Sequence, residues 1–370
     1  MNEAGTASAD AALMRSIIQR IATGPELSKN ISREEARAGM GLVLEGRVDP
    51  VQAGIFLIAL RMKRETDEEN LGVLDAVRNA TIRVTAAVDE VMDIADPYDG
   101  YARTLPAAPF LPAVLAACGL PAISHGVERM GPKYGITHRQ VLRAAGAPVD
   151  LPVAEAAARL ADARIGWAYV DQRAFCPQLH DLAGLRTLIV KRPAITTVEV
   201  LAGPVRGRRR THLITGYVHK SYPRIYALLA RAAGFDSALI VRGAEGGVIP
   251  SLRASGKAFT YHDRGAEREL DLVPGDFGIE PLRGAPLPGA GAVEEEGPPA
   301  LDVEAGSAAA AAAGLDALEG AAGPVRDSLV CAGALCLRHV GRVETLRAAA
   351  DAVRAVLDSG AARDRFRNNR

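Results

Sequence analysis

Three features of this 370-residue sequence predict an α/β protein. The expected architecture is a small N-terminal helical domain and a larger α/β domain, whose mainly parallel central sheet is flanked by helices. First, three successive segments between residues 32 and 78 open on helix-capping signals. Second, two short apolar runs, Val91–Ala95 and Pro121–Ser124, are separated by a polar loop and an apolar helical stretch ending at Cys118-Gly119, which reads as strand, loop, helix, strand. Third, each run delivers a polar loop, Asp96–Thr104 and His125–Gly135. Two such loops would meet at one edge of a parallel sheet, where open α/β sheets bind ligands.

Taken in order, residues 1–12 are small and polar and read as a frayed end. Ser32 with Glu35 forms a capping box for a helix to about Glu45. Asp49-Pro50 supplies an N-cap and a preset first turn for Val51–Met62, and Thr66 with Glu69 opens the next helix. Apolar residues recur at helical spacing in Ile55, Leu57, Ile58 and Leu60, then in Leu71, Leu74 and Val77, giving a small bundle that reads as scaffold or dimer interface. Beyond the two loops, Pro152 starts a helix with Ala154, Ala158 and Leu160 inward, and Ile165–Val170 is a strand. Gly216–Tyr222 leads into a helix to Ala233, and Ala238–Val241 is a buried strand followed by the Gly243–Gly247 loop. The Gly-, Ala-, Pro- and Glu-rich stretch 284–322 has alanines that can be helical, while its glycines and prolines read as an insert or linker.

With 48% apolar and 24% charged residues, the chain can bury the cores of two compact units. Lys plus Arg balances Asp plus Glu at 44 each, so binding to nucleic acid or membrane would need a local patch. Cys118, Cys176, Cys331 and Cys336 lack metal-ligand or framework spacing, as expected of reduced, buried thiols. Without a signal-peptide pattern or an apolar run of about 18 residues, a soluble cytoplasmic protein with no membrane partner is expected.

The loop from Tyr98 to Thr104 combines two tyrosines, Asp99, Arg103 and Thr104, able to stack on a planar group and bind an anion. The alternative is that the tyrosines cap the sheet edge while Arg103 pairs with Asp99. No Ser/His/Asp or Cys/His spacing favours nucleophilic catalysis, and His180-Asp181 reads as a surface pair. Arg206, Arg208, Arg209, Arg210 and His212 follow Lys191 and Arg192, with Lys220, Arg224 and Arg231 downstream. This cluster is either a phosphate-tracking patch or an exposed arginine-rich turn between two strands.

Ile31–Arg78, reading ISREEARAGMGLVLEGRVDPVQAGIFLIALRMKRETDEENLGVLDAVR, resembles the N-terminal helical domain of the anthranilate phosphoribosyltransferase family, which includes the pyrimidine nucleoside phosphorylases. The resemblance continues through Gly119–Gly126, Val141–Gly146, Leu272–Ile279 and Gly323–Ala361. It implies a helical domain over residues 1–80, a hinge, an α/β domain over 81–370 and a homodimer through the helices. Phosphoribosyl transfer needs a held pyrophosphate, with magnesium, and a nucleophile on the opposite face of the sugar. The family's GTGGD phosphate loop falls on Asp96-Pro97-Tyr98-Asp99-Gly100. Pro97 has no N–H to offer, Asp96 adds a repelling charge and Tyr98 fills space that glycine leaves open. The acidic pair that holds magnesium falls on Val248 and Ile249, which cannot ligate a hard cation, so no cofactor is expected; Glu245 remains as one carboxylate, either a weak site or a cap on the neighbouring loop. His125, Gly126, Lys133 and Gly135 match the family's HG loop, with Ser124 in place of its lysine. The acceptor-binding arginine of GxRTxFN falls on Arg192 in one register and on Thr196 in the other.

The expected substrate-binding set is therefore Tyr98, Asp99, Gly100, Arg103, Thr104, His125, Gly126, Lys133, Arg192 and Glu245, with no catalytic residue assigned. The ligand would be a phosphorylated sugar or nucleotide-like molecule, and the activity a divergent pentosyl or phosphoribosyl transfer to an aromatic or heterocyclic acceptor. The alternative is an inactive relative that binds single-stranded nucleic acid through Arg206, Arg208, Arg209 and Arg210. One branch of the family that has also lost the GTGGD loop is known as a nucleic-acid binder.

Overall fold

The computed structural model describes residues 3–24, 26–281 and 301–370. Four helices open the chain: α1 (Glu3–Ile21), α2 (Arg33–Leu44), α3 (Pro50–Lys63) and α4 (Asp67–Ala80). Both predicted capping boxes form, the Ser32 and Thr66 side chains accepting the N–H groups of Glu35 and Glu69, and Asp49 caps α3. The N-terminus departs from expectation. Residues 3–21 are helical because Met14, Ile17 and Ile21 anchor α1 in the core, and tertiary burial outweighs a weak local pattern. The α2 and α4 helices pack so closely that a Cβ on Gly72 would lie 2.3 Å from the Arg33 carbonyl oxygen.

Among the described residues nine strands follow: β1 (Val84–Thr85), β2 (Glu90–Ala95), β3 (Ala122–Gly126), β4 (Trp167–Asp171), β5 (Val205–Arg206), β6 (Arg210–Gly216), β7 (Ser237–Val241), β8 (Gly256–Tyr261) and β9 (Arg268–Leu272). β1 and β5 pair in a two-stranded ladder, and the rest form one sheet in the order β4-β3-β2-β6-β7-β8-β9. The first five strands are parallel, and β8 and β9 are antiparallel. The chain winds outward from β2 through β3 to β4 and then returns to β6 and β7. The sheet therefore has a topological switch point between β2 and β6, which leaves a crevice at the carboxyl ends of those strands.

Two apolar cores cover the two faces of the sheet. One joins the helical bundle to residues such as Val91, Ile123, Leu213 and Ile240. The other packs Met92, Ile94, Ile214 and Leu239 against the C-terminal helices Pro324–His339 and Leu346–Asp358.

One further expectation is corrected. The helix after Pro152 spans Val153–Ala161 and buries Val153, Ala156, Ala157 and Leu160, leaving Ala154 and Ala158 outside. An alanine-rich helix carries little information about its own facing. Within the stretch 284–322 the alanines are helical: Val303–Leu318 is a helix whose Asp302 cap accepts from the Ala305 N–H, and whose Ala310, Ala311, Gly314, Ala317 and Leu318 are buried. The remainder of that stretch, up to residue 300, lies outside the described residues.

Candidate ligand-binding cleft

The polar loop after β2 is held by hydrogen bonds. The backbone groups of Tyr101 and Ile136 exchange two bonds of 2.9 and 2.7 Å, and Gly135 N–H donates to the Asp99 carbonyl at 2.8 Å. Here Gly100 adopts φ +72°, and a Cβ would lie 2.5 Å from the Ile136 carbonyl oxygen. Gly100, expected among the substrate-binding residues, thus permits the close approach of two loops. Asp96 is buried rather than aimed as a repelling charge into the cleft. It accepts from Tyr101 Oη (3.0 Å), from the Val248 N–H (2.8 Å) and, at 2.9 Å, from His138 Nε2.

Glu245 follows β7 with left-handed backbone angles (φ 53°, ψ 19°). Its carboxylate accepts three consecutive backbone N–H groups, those of Ala102 (2.9 Å), Arg103 (2.9 Å) and Thr104 (3.0 Å), together with the Thr104 hydroxyl at 3.1 Å. Lys133 Nζ lies 3.7 Å from both the Glu245 and the Asp99 carboxylates. Successive N–H groups converging with a hydroxyl and an ammonium make an anion-binding nest. In this chain the anion in it is an internal carboxylate. The Arg103 side chain is exposed, so that residue enters the arrangement through its backbone.

Asp99 is buried and paired with Arg192, whose Nε lies 3.1 Å from Oδ2. His125, expected to meet substrate, is buried with both ring nitrogens engaged, Nε2 with Asp93 (2.8 Å) and Nδ1 with the Tyr98 hydroxyl (2.6 Å). Gly126 ends β3 in the buried sheet. Of the two tyrosines expected to stack on a ligand, Tyr98 borders the cleft, with burial pushing its phenol well above the usual range, and Tyr101 turns inward to Asp96.

The crevice holds a cavity of about 350 Å³. Ala95, Thr215 and Gly216 line it at the strand ends, and Tyr217, Tyr222 and Tyr226 give it aromatic character. Arg61 reaches in from α3, donating to Tyr222 Oη at 2.5 Å and to Thr197 Oγ1 at 3.0 Å. A buried pair, Arg186 with Glu199 at 2.6 and 2.7 Å, also borders the cavity. Arg192 and Thr196 both line it, so either register brings the acceptor segment to this cleft. The sequence reading missed Arg61, Arg186, Glu199 and the second group of tyrosines. The i, i+4 spacing of Tyr222 and Tyr226 was a usable signal, whereas a buried arginine on a short helix leaves none.

The residues present do not fit a magnesium site. Val248 and Ile249 are buried and apolar, Asp99 is paired with Arg192, and Glu245 is saturated by the nest. No group of three or more metal-ligating side chains occurs among the described residues. The four cysteines are free thiols; burial holds Cys176 and Cys331 above the usual range and pushes Cys118 up to about 12.

The arginine cluster divides. Arg206 is packed over the Phe235 ring at 4.2 Å and donates to the carbonyls of Gly203 (3.2 Å) and Ala233 (2.9 Å), burial pulling its pKa down to about 10. It is therefore removed from any surface patch. Arg208, Arg209 and Arg210 are exposed, the last two beside Asp89 (3.7 Å) and Asp263 (3.4 Å). They lie where β6 begins, at the opposite edge of the sheet from Arg192 and the cleft. Arg224 pairs with Asp67, and Arg231 with Glu267.

A helical bundle packed beside the switch point of a mainly parallel sheet, with an aromatic and cationic crevice at the carboxyl ends of the central strands, defines an α/β architecture that binds ligands at that edge. The chain belongs to the glycosyl transferase family: the family's helical bundle domain matches residues 15–81 and its a/b domain residues 104–363. Similar curated proteins include the anthranilate phosphoribosyltransferases of Methylocella silvestris (29% identical, covering 94% of this chain and 92% of that one) and Rhodospirillum rubrum (28%, covering 95% and 93%). Among solved structures, anthranilate phosphoribosyltransferase from Thermus thermophilus matches with a TM-score of 0.73 at 21% identity, covering 96% of this chain and 98% of that one. The Saccharomyces cerevisiae enzyme in complex with PRPP and Mg matches with 0.75 at 15%, covering 96% of each. At these identities the structural likeness shows the fold alone.

Proposed function

We propose that this protein is a divergent pentosyl- or phosphoribosyltransferase-like glycosyltransferase that takes an aromatic or heterocyclic acceptor, and that it does not carry out ordinary magnesium-dependent anthranilate phosphoribosyl transfer. The observation that carries this reading is the cleft. Its aromatic side chains suit a planar acceptor, and its Arg61 and Arg192, ion-paired with Glu65 (3.1 Å) and Asp99, place guanidinium N–H donors at its wall. Transfer would break the bond from the sugar carbon to its leaving group, whose electron pair departs with that group, while an acceptor atom forms the new bond from the opposite face. The carboxylate in the nest, and the apolar residues at the acidic-pair positions, argue against the usual donor. A homodimer through the helical domain, as the family resemblance implies, belongs to the same proposal.

The second reading, a catalytically silent relative that binds single-stranded nucleic acid, is favoured by the exposed run Arg208–Arg210 and weakened by the burial of Arg206. One comparison tests both. The protein is titrated by calorimetry with phosphoribosyl pyrophosphate plus magnesium, with ribose 5-phosphate and with a short single-stranded oligonucleotide, at two salt concentrations. Binding of the sugar phosphate that survives salt is the expected result. A micromolar dissociation constant for phosphoribosyl pyrophosphate with magnesium would overturn the exclusion of ordinary activity. Salt-sensitive binding of the oligonucleotide alone would replace the first reading by the second.

A further inference from the structure

Three of the protein's seven histidines meet at the sheet edge opposite the cleft. His212 on β6 and Ser237 on β7 face each other across the parallel ladder, and His339 ends the helix Pro324–His339. The Ser237 hydroxyl lies between two imidazoles, 2.7 Å from His212 Nδ1 and 2.8 Å from His339 Nε2. The His262 ring, from the turn after β8, lies over His339 with centroids 4.4 Å apart. Together they wall a cavity of about 380 Å³, bordered by Arg210, Arg338, Asp236 and Asp263.

The protonation pattern follows from the partners. His212 and Arg342 hold the Glu90 carboxyl at about 2, so Glu90 is ionised and only accepts. His212 Nε2, 3.3 Å from Glu90, therefore carries a hydrogen, and Nδ1 shares a hydrogen bond with the Ser237 hydroxyl. His339 Nδ1 is buried and without a hydrogen-bond partner among the described residues. Burial pulls His339 down to about 3, and His262 is lowered for the same reason.

The charges around the cavity do not cancel. Asp236 is matched by Arg264 (3.2 Å), Asp263 by Arg210 (3.4 Å) and Glu90 by Arg342. Arg338 is exposed at the rim and has no carboxylate in ion-pair range among the described residues. A polar cavity with one unmatched guanidinium, a second 3.4 Å from its carboxylate, and the exposed His262 imidazole as a ring N–H donor is complementary to a small oxyanion.

We propose that this pocket is a second ligand site, distinct from the cleft, which takes a tetrahedral oxyanion, inorganic or the phosphate of a small monoester, between Arg338, Arg210 and His262. The test uses the full chain with 13C-labelled histidine, titrated at constant ionic strength with sulfate, inorganic phosphate and ribose 5-phosphate. The expected result is a saturable shift of the His262 and His339 ring signals in the millimolar range or tighter. Arg338→Ala and His262→Ala, both at exposed positions, should keep the fold and weaken binding at least tenfold. Tighter binding of ribose 5-phosphate than of phosphate would assign the site to an ester, and equal binding to the free ion. An absent or non-saturable shift, or unchanged affinity in Arg338→Ala, would overturn the proposal.

Discussion

At Glu245 a non-glycine residue holds left-handed angles so that one carboxylate can receive three N–H groups and a hydroxyl. Such a conformation persists only when surrounding bonds over-determine it. Removing the carboxylate leaves the donors of residues 102–104 unmatched in a partly buried site, a loss of roughly 1–3 kcal/mol. Glu245→Ala should therefore lower the melting temperature in chloride buffer. It should also regain part of that loss on adding millimolar phosphate or pyrophosphate, because an external anion would occupy the vacated nest and bind only the folded state. A variant as stable as the wild type would show that these bonds contribute little, and destabilisation without rescue would show that the nest is closed to solvent anions.

At the level of elements, local chemistry was legible where it was self-contained. The capping boxes at Ser32 and Thr66, and the strand–loop–helix around Met92, depend on residues a few positions apart. The Asp96 network was not legible, because Asp96 meets His138 and Val248 only after the sheet has brought distant loops together, whereas the loop-cap reading of Glu245 lacked only its donors at residues 102–104. For Val303–Leu318 the composition allowed a helix or a linker, and its burial reveals a packed helix. Its Gly314 separates the two cases. A Cβ there would lie 1.9 Å from the Phe110 ring, so Gly314→Ala should destabilise by about 1–3 kcal/mol through overpacking. In a solvated helix the same change would stabilise by up to roughly 1 kcal/mol. Denaturant unfolding of the variant gives the sign, and a gain in stability would contradict the packed arrangement.

Over the whole molecule, the helical bundle and the α/β part share a core. Phe56, Leu57 and Leu74 belong to the same apolar cluster as Val91, Leu213 and Ile240. Polar ties reinforce the junction: Arg61 reaches Tyr222 and Thr197, Arg78 donates to the Ala232 carbonyl at 2.8 Å, and Arg224 pairs with Asp67. Separate domains joined by a hinge would lose their structure independently, whereas units with a common core lose it together. Calorimetric unfolding should then show one transition, with the van't Hoff enthalpy close to the calorimetric one, and Arg61→Ala should lower its midpoint without splitting it. Because Arg61 also lines the cleft, a cleft ligand bound to the wild type should raise the midpoint of the whole transition, and by less in the variant. Two resolved transitions in the wild type would mean that the helical domain is stable by itself and that the cleft opens between independent bodies.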